Sequence, residues 1–158
     1  HITITDYGKQ SGAEEPPSEQ EVKETLRGLT RAVGEARAGL PASVRQSARV
    51  TYRELLMNQN TVIAAGIPNE EWWKIREAVL EKCRERGLEV AGSWGAHTTV
   101  ARFVQPQPVS PDLLRLLDQP IEWVSRPHKI VIGRFVVTPS AFTLIADATY
   151  VLTTPLGS

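Results

Sequence analysis

The chain has 158 residues, enough to bury a core without covalent staples, and is most simply one domain. Its 18 basic and 18 acidic side chains cancel, which argues against an extended nucleic-acid track but leaves room for a local pocket holding a small nucleotide or an RNA end. A single cysteine rules out an intrachain disulfide; with no membrane-length apolar run and no signal-like start, the chain is expected inside the cell, in cytoplasm or nucleus, with no membrane partner.

The opening "HITIT" alternates Ile2 and Ile4 with His1, Thr3 and Thr5, the pattern of a half-buried strand. Glycine, paired prolines and glutamates then predict a flexible, exposed loop over residues 8–18. Ser18 and Glu21 have capping-box spacing, and Val22, Leu26, Leu29 and Val33 form the stripe of a helix that Gly39 and Pro41 end. Strands are expected from about Ala48 to Met57 and from Thr61 to Ile67, joined as a hairpin across "NQN".

Pro68 and Asn69 introduce a second helix, with Glu70 and Glu71 at its positive end and Gly87 closing it. Trp72, Ile75, Val79 and Cys83 share one face, which makes Cys83 a core residue rather than a nucleophile. Trp72 and Trp73 cannot both enter the core, so one is expected at a lobe boundary; Lys74, Lys82, Arg84 and Arg86 read as solvated surface. Next come a strand, "AHTTVARF", and a short helix, "SPDLLRLLD", capped by Ser110 with Pro111 in its first turn. "IEWVS", "KIVIGRFVVT" and "FTLIADATYVLTT" complete the chain as strands, the last two a hairpin across "PSA". Hairpins mixed with helices point to an α+β fold with antiparallel sheets.

Two of the three histidines stand two residues before a threonine, as His1 with Thr3 and His97 with Thr99. Residues two apart in a strand point the same way, so each pair can act on one ligand group. An imidazole exchanges protons near neutral pH, and a β-branched hydroxyl offers a stiff donor to a phosphate oxygen. Two such strands across a cleft would supply a base and an acid for in-line opening of a cyclic phosphodiester. No metal or other cofactor is implied, because neither stretch carries the additional close-spaced ligands of a metal site.

"HITITDYG" and "HTTVARF" resemble the paired H-x-T/S-x signatures of the two-histidine (2H) phosphoesterase superfamily, which includes cyclic phosphodiesterases and 2′-5′ RNA ligase-like proteins. The order of helix, hairpin and helix between them is similar too. The resemblance implies a bilobal fold with pseudo-twofold symmetry, residues 1–158 forming one domain of two lobes about a central cleft. It implies an acid–base pair of His1 and His97, phosphate-binding hydroxyls on Thr3 and Thr99, and metal-independent hydrolysis of a 2′,3′-cyclic phosphate or a related cyclic or 2′-5′ nucleotide.

A nucleotide base needs a flat platform, for which Tyr7, Trp94 and Phe103 are nearest the motifs, while Tyr150 lies in a late strand. Stacking on one of them is worth about 1–3 kcal/mol. In an ideal strand Arg102 alternates away from His97 and is a rim residue, reaching phosphate only where the strand bulges. His128, with no threonine two residues on, reads as a surface histidine. The competing reading keeps the fold without the chemistry, as a nucleotide- or RNA-end-binding module; oligomeric state is left open.

Overall fold

A computed structural model describes residues 1–7, 17–93, 95–138 and 141–153. The chain is mixed α+β, built from antiparallel sheets with two long helices against them. In order, the elements are β1 (Thr5–Tyr7), α1 (Glu19–Gly39), α2 (Ala42–Ser47), β2 (Val50–Met57), β3 (Thr61–Pro68), α3 (Glu70–Glu85), β4 (Val90–Gly92), β5 (Ala96–Arg102), α4 (Pro111–Leu117), β6 (Trp123–Ser125), β7 (Lys129–Thr138) and β8 (Ala141–Val151).

The helices start where their caps direct. Ser18 accepts from the Glu21 backbone N–H while the Glu21 carboxylate accepts from Ser18 N–H, so two amides with no intrahelical acceptor are satisfied together. Asn69 caps α3 by accepting from Trp72 N–H, and its side-chain amide donates to Ser47 O, which fixes the α3 start against the end of α2. Ser110 caps α4 in the same way through Leu113 N–H. Leu29, Val33 and Ala36 of α1 meet Trp72, Ile75, Val79 and Cys83 of α3 in a core that also takes Val50, Tyr52, Ala64 and Ala96 from the sheet. Arg86 and Glu35 tie the two helices at the surface, and Lys74 and Lys82 pair with Glu70 and Glu85 on the outer side of α3.

Four strands form the central sheet in the order β5-β3-β2-β6, all antiparallel, while β1 pairs with β4 and β7 with β8. Each long pairing contains a register shift. Arg53 is the extra residue in β2, Val100 in β5 and Asp147 in β8. Asp147 accepts from both Nε and Nη2 of Arg134 at 3.0–3.1 Å, so that bulge closes an ion pair across the hairpin.

Several expectations need correction. The opening strand is shorter and later than the alternation of residues 1–5 suggests: extended pairing begins at Thr5, because its partner β4 is only three residues long. Ile2 and Ile4 still pack against the core. Helix α2 and strand β4 were not expected, and "IEWVS" narrows to Trp123–Ser125. The loop predicted over residues 8–18 falls outside the described residues except for Pro17 and Ser18. Trp72 is buried, whereas Trp73 is 37 % exposed with the Arg76 guanidinium 5.3 Å from its ring centroid. Cys83 is fully buried, as the helical stripe implied. Among the described residues no helix is long and apolar enough to cross a membrane.

Candidate functional site

Strand β5 is the edge of the central sheet, and its register against β3 decides which way each side chain points. Ala96 pairs with Gly66 and Thr98 with Ala64, on the face that packs toward the helices. His97 pairs with Ala65 and Thr99 with Ile63, on the opposite, half-exposed face. The alternation expected for "AHTT" therefore holds, with His97 and Thr99 side by side.

Beyond Thr99 the strand departs from ideal geometry. Thr99 pairs with Ile63, but Ala101 pairs with Val62 and Arg102 with Thr61. The extra residue, Val100, shifts the phase by one, so Arg102 shares a face with its partners' row of Thr61, Ile63 and Ala65. Arg102 thus lies on the side of His97 and Thr99, not on the opposite side as strict alternation predicts. The condition under which it was expected to approach a phosphate, a bulge at the strand end, is met.

The rest of that face is small and apolar, with one charge added, Glu54. Ala65 lies between His97 and Glu54 in one cross-strand row; Ile63 lies between Thr99 and Leu56 in the next. Leu56 and Ile67 are 44 % and 61 % exposed, an apolar floor open to solvent. Nδ1 of His97 is shielded from solvent.

The chain start reaches β5 from the other side. The Thr98 hydroxyl donates to the His1 carbonyl at 3.3 Å and also lies 3.0 Å from the Tyr52 hydroxyl, which in turn lies 3.1 Å from the Ser125 hydroxyl. These hydroxyls link β5, β2 and β6 and bring the first signature against the strand that carries the second. A cavity of about 880 Å³ opens beside this network, and His1 and Thr3 line it together with Thr98, Ser125 and Trp123. His97 and Thr99 do not line that cavity, consistent with their projecting from the far face of β5.

No known family model matches this chain, and no curated protein does.

Of the candidate base platforms, Phe103 lies just past β5, half-buried, its backbone N–H donating to Asn60 O at 2.9 Å. Trp94 and the side chain of Tyr7 lie outside the described residues. The Tyr150 hydroxyl donates to Thr30 O of α1, a packing role. His128 is exposed at the cavity mouth, and its carbonyl receives Leu152 and Thr153 N–H. Among the described residues no three His, Cys, Asp or Glu side chains cluster as a metal site would require.

Residue-by-residue reading missed Tyr52, Ser125 and Trp123, the last 46 % exposed at the cavity wall. A tyrosine in an apolar strand signals only burial. The hydroxyls it meets lie 46 and 73 residues downstream, which no local pattern displays.

Proposed function

We propose that the outer face of β5 is a phosphate-ester site, and that the chain is a metal-independent phosphodiesterase opening a 2′,3′-cyclic phosphate or a related cyclic or 2′-5′ nucleotide. One observation carries this reading: the Val100 bulge turns Arg102 onto the face of His97 and Thr99. A proton-exchanging ring, a hydroxyl donor and a fixed cation on one strand face are the minimal equipment for gripping a phosphorus and moving a proton beside it. With Nδ1 shielded, His97 would act through Nε2.

His1 is the second proton carrier in this reading, and Thr3 the second hydroxyl donor. β5 is an edge strand, and the His1 backbone is already hydrogen-bonded to Thr98, so the His1 ring need only turn around the strand margin to meet a ligand held by His97. One neutral imidazole takes a proton from water as its oxygen attacks phosphorus. The other, protonated, delivers a proton to the departing sugar oxygen, and Thr99 and Arg102 hold the non-bridging oxygens. The paired signatures support a two-lobed 2H-type arrangement with the nucleotide or RNA end between the lobes, inside the cell.

A specific observation favours a second reading, a nucleotide- or RNA-end-binding module. His1 and Thr3 line the large cavity while His97 and Thr99 face away from it, so the two halves of the pair do not share one pocket. Incubation with 2′,3′-cyclic nucleotides, 3′,5′-cyclic nucleotides and 2′-5′ dinucleotides, products resolved by chromatography, separates the two. The proposal expects a phosphomonoester formed in the presence of chelator and lost in His97→Ala. Turnover that persists in that folded variant would overturn it, and saturable binding without product would leave only the binding module.

A further inference from the structure

Charge is spread unevenly around the large cavity. The chain as a whole carries as many acidic as basic side chains, yet among the described residues no Asp or Glu lines this cavity, whereas Arg126, Lys129 and Arg134 do. Arg134 is held by Asp147 through two hydrogen bonds. Arg126 and Lys129 are exposed, so they stand at the opening, and among the described residues neither is in an ion pair. The uncompensated positive charge is therefore gathered at one end, where β7 begins.

The remaining boundary is apolar both inside and at the rim. Leu29 and Val33 of α1, Ile75 and Val79 of α3 and Ile132 of β7 are buried and form its floor. Trp123, Val124 and Leu144 line the same space and are exposed. Large apolar side chains scattered singly over a surface need no partner, but three grouped around one opening above an apolar floor are surface that an apolar ligand body would remove from water. The space is also elongated. Lys129 and Arg134 both line it and lie five strand steps apart, about 16 Å at about 3.3 Å per residue. A volume of about 880 Å³ spread over that length gives a mean cross-section of about 50 Å², the proportions of a channel rather than of a bowl. A zigzag of about a dozen carbons, with bonds of about 1.5 Å, reaches about 15 Å.

We propose that this cavity binds a single-chain anionic amphiphile, an acyl carboxylate of about ten to fourteen carbons, with its head group at Arg126 and Lys129 and its tail running along β7 over the side chains of α1 and α3. The two cations at the opening meet the carboxylate in water, so the head group sets which amphiphile is accepted, while the tail leaving water supplies most of the affinity. A second charge at the far end of the ligand would find Arg134 already held by Asp147, which is why one head group suffices. The site is independent of the phosphate-ester reading, since His97 and Thr99 do not line the cavity.

The test titrates the full chain with laurate, decanoate and dodecyltrimethylammonium below their micelle concentrations, read by calorimetry and by amide and methyl chemical shifts. The expected result is saturable one-to-one binding of laurate, with shifts at residues 123–134 and at the methyl groups of Leu29, Val33, Ile75 and Val79. Decanoate should bind roughly 10-fold more weakly, since each methylene withdrawn from water counts toward affinity. Dodecyltrimethylammonium, with the same tail and the opposite charge, should also bind roughly 10-fold more weakly than laurate or worse. The double variant Arg126→Glu with Lys129→Glu should invert that preference; both positions are exposed, its amide dispersion checks the fold, and the head-group comparison on the parent chain stands without it. Equal binding of the two head groups, an unchanged preference in the folded double variant, shifts that spare the floor, or no saturation by about 1 mM laurate would overturn the proposal. Adenosine monophosphate binding at the same residues more tightly than laurate would overturn it too, in favour of a nucleotide as the occupant.

Discussion

Gly66 sits in β3 between Tyr52 of β2 and Ala96 of β5, and replacing it by Ala tests the register on which the β5 site depends. A Cβ built there would lie 2.5 Å from Cγ1 of Val50, 2.7 Å from the carbonyl oxygen of Ala96 and 3.1 Å from Cε1 of Tyr52. Val50 is fully buried and cannot swing aside, and Ala96 offers backbone rather than a flexible side chain. Adding a group to a filled core costs about 1–3 kcal/mol. Alanine recovers about 0.5–1 kcal/mol through its smaller loss of conformational freedom. With two contacts under 3.0 Å the cost falls in the upper half of that range, so the net expectation is a loss of about 1–2.5 kcal/mol, and at roughly 2–4 °C per kcal/mol for a chain of this size the melting midpoint falls by about 2–10 °C. Urea unfolding should show the same loss as a lower midpoint with unchanged slope. Gly39→Ala is the control, because a Cβ there meets nothing within 4 Å. A Gly66→Ala chain as stable as the parent would refute the register, and with it the assignment of His97 and Ala96 to opposite faces.

Tyr52→Phe removes the hydroxyl joining Thr98 to Ser125 and should cost about 1–2 kcal/mol in urea titration, with a coupling near 1 kcal/mol in a double-mutant cycle against Thr98→Val. Arg102→Met should weaken binding of a cyclic nucleotide about 10-fold, roughly 1.4 kcal/mol, while shifting the melting midpoint little, since the residue is exposed; calorimetric titration reads the first and a thermal melt the second. Burial pushes the Cys83 thiol up, with Arg84 pulling it the other way. The folded state therefore keeps its proton where the unfolded chain has lost it, so this contribution to stability is complete below an unfolded thiol's value of about 8.5 and is lost as pH climbs toward the folded one. Urea midpoints should accordingly decline above about pH 8.5, and a disulfide reagent at pH 8 should label Cys83 only as fast as the chain unfolds.

The helices were legible because their signals are local. The Ser18–Glu21 box and the stripe through Val33 lie within one stretch of chain, as do Asn69 and the face running from Trp72 to Cys83. The hairpins were legible for the same reason. α2 was not, because its start at Pro41 has no side-chain cap to announce it. The facing of Arg102 was hidden for a deeper reason: a bulge is a property of two strands in register, and nothing in "HTTVARF" alone says that Val100 will be left over. The cavity was invisible in the same sense, since its lining draws on two helices and on residues 1–5 and 123–134, from opposite ends of the chain.

The residue left over in β5 has a further consequence. β5 is the margin of the central sheet, and a long even margin invites the strands of other molecules to stack on it and grow into fibres. Only four rungs, from Ala96 to Thr99, precede the extra residue Val100, beyond which the spacing of amides and carbonyls falls out of step. A chain with Val100 excised would offer an uninterrupted template, and its solubility on storage, more than its folding, should suffer.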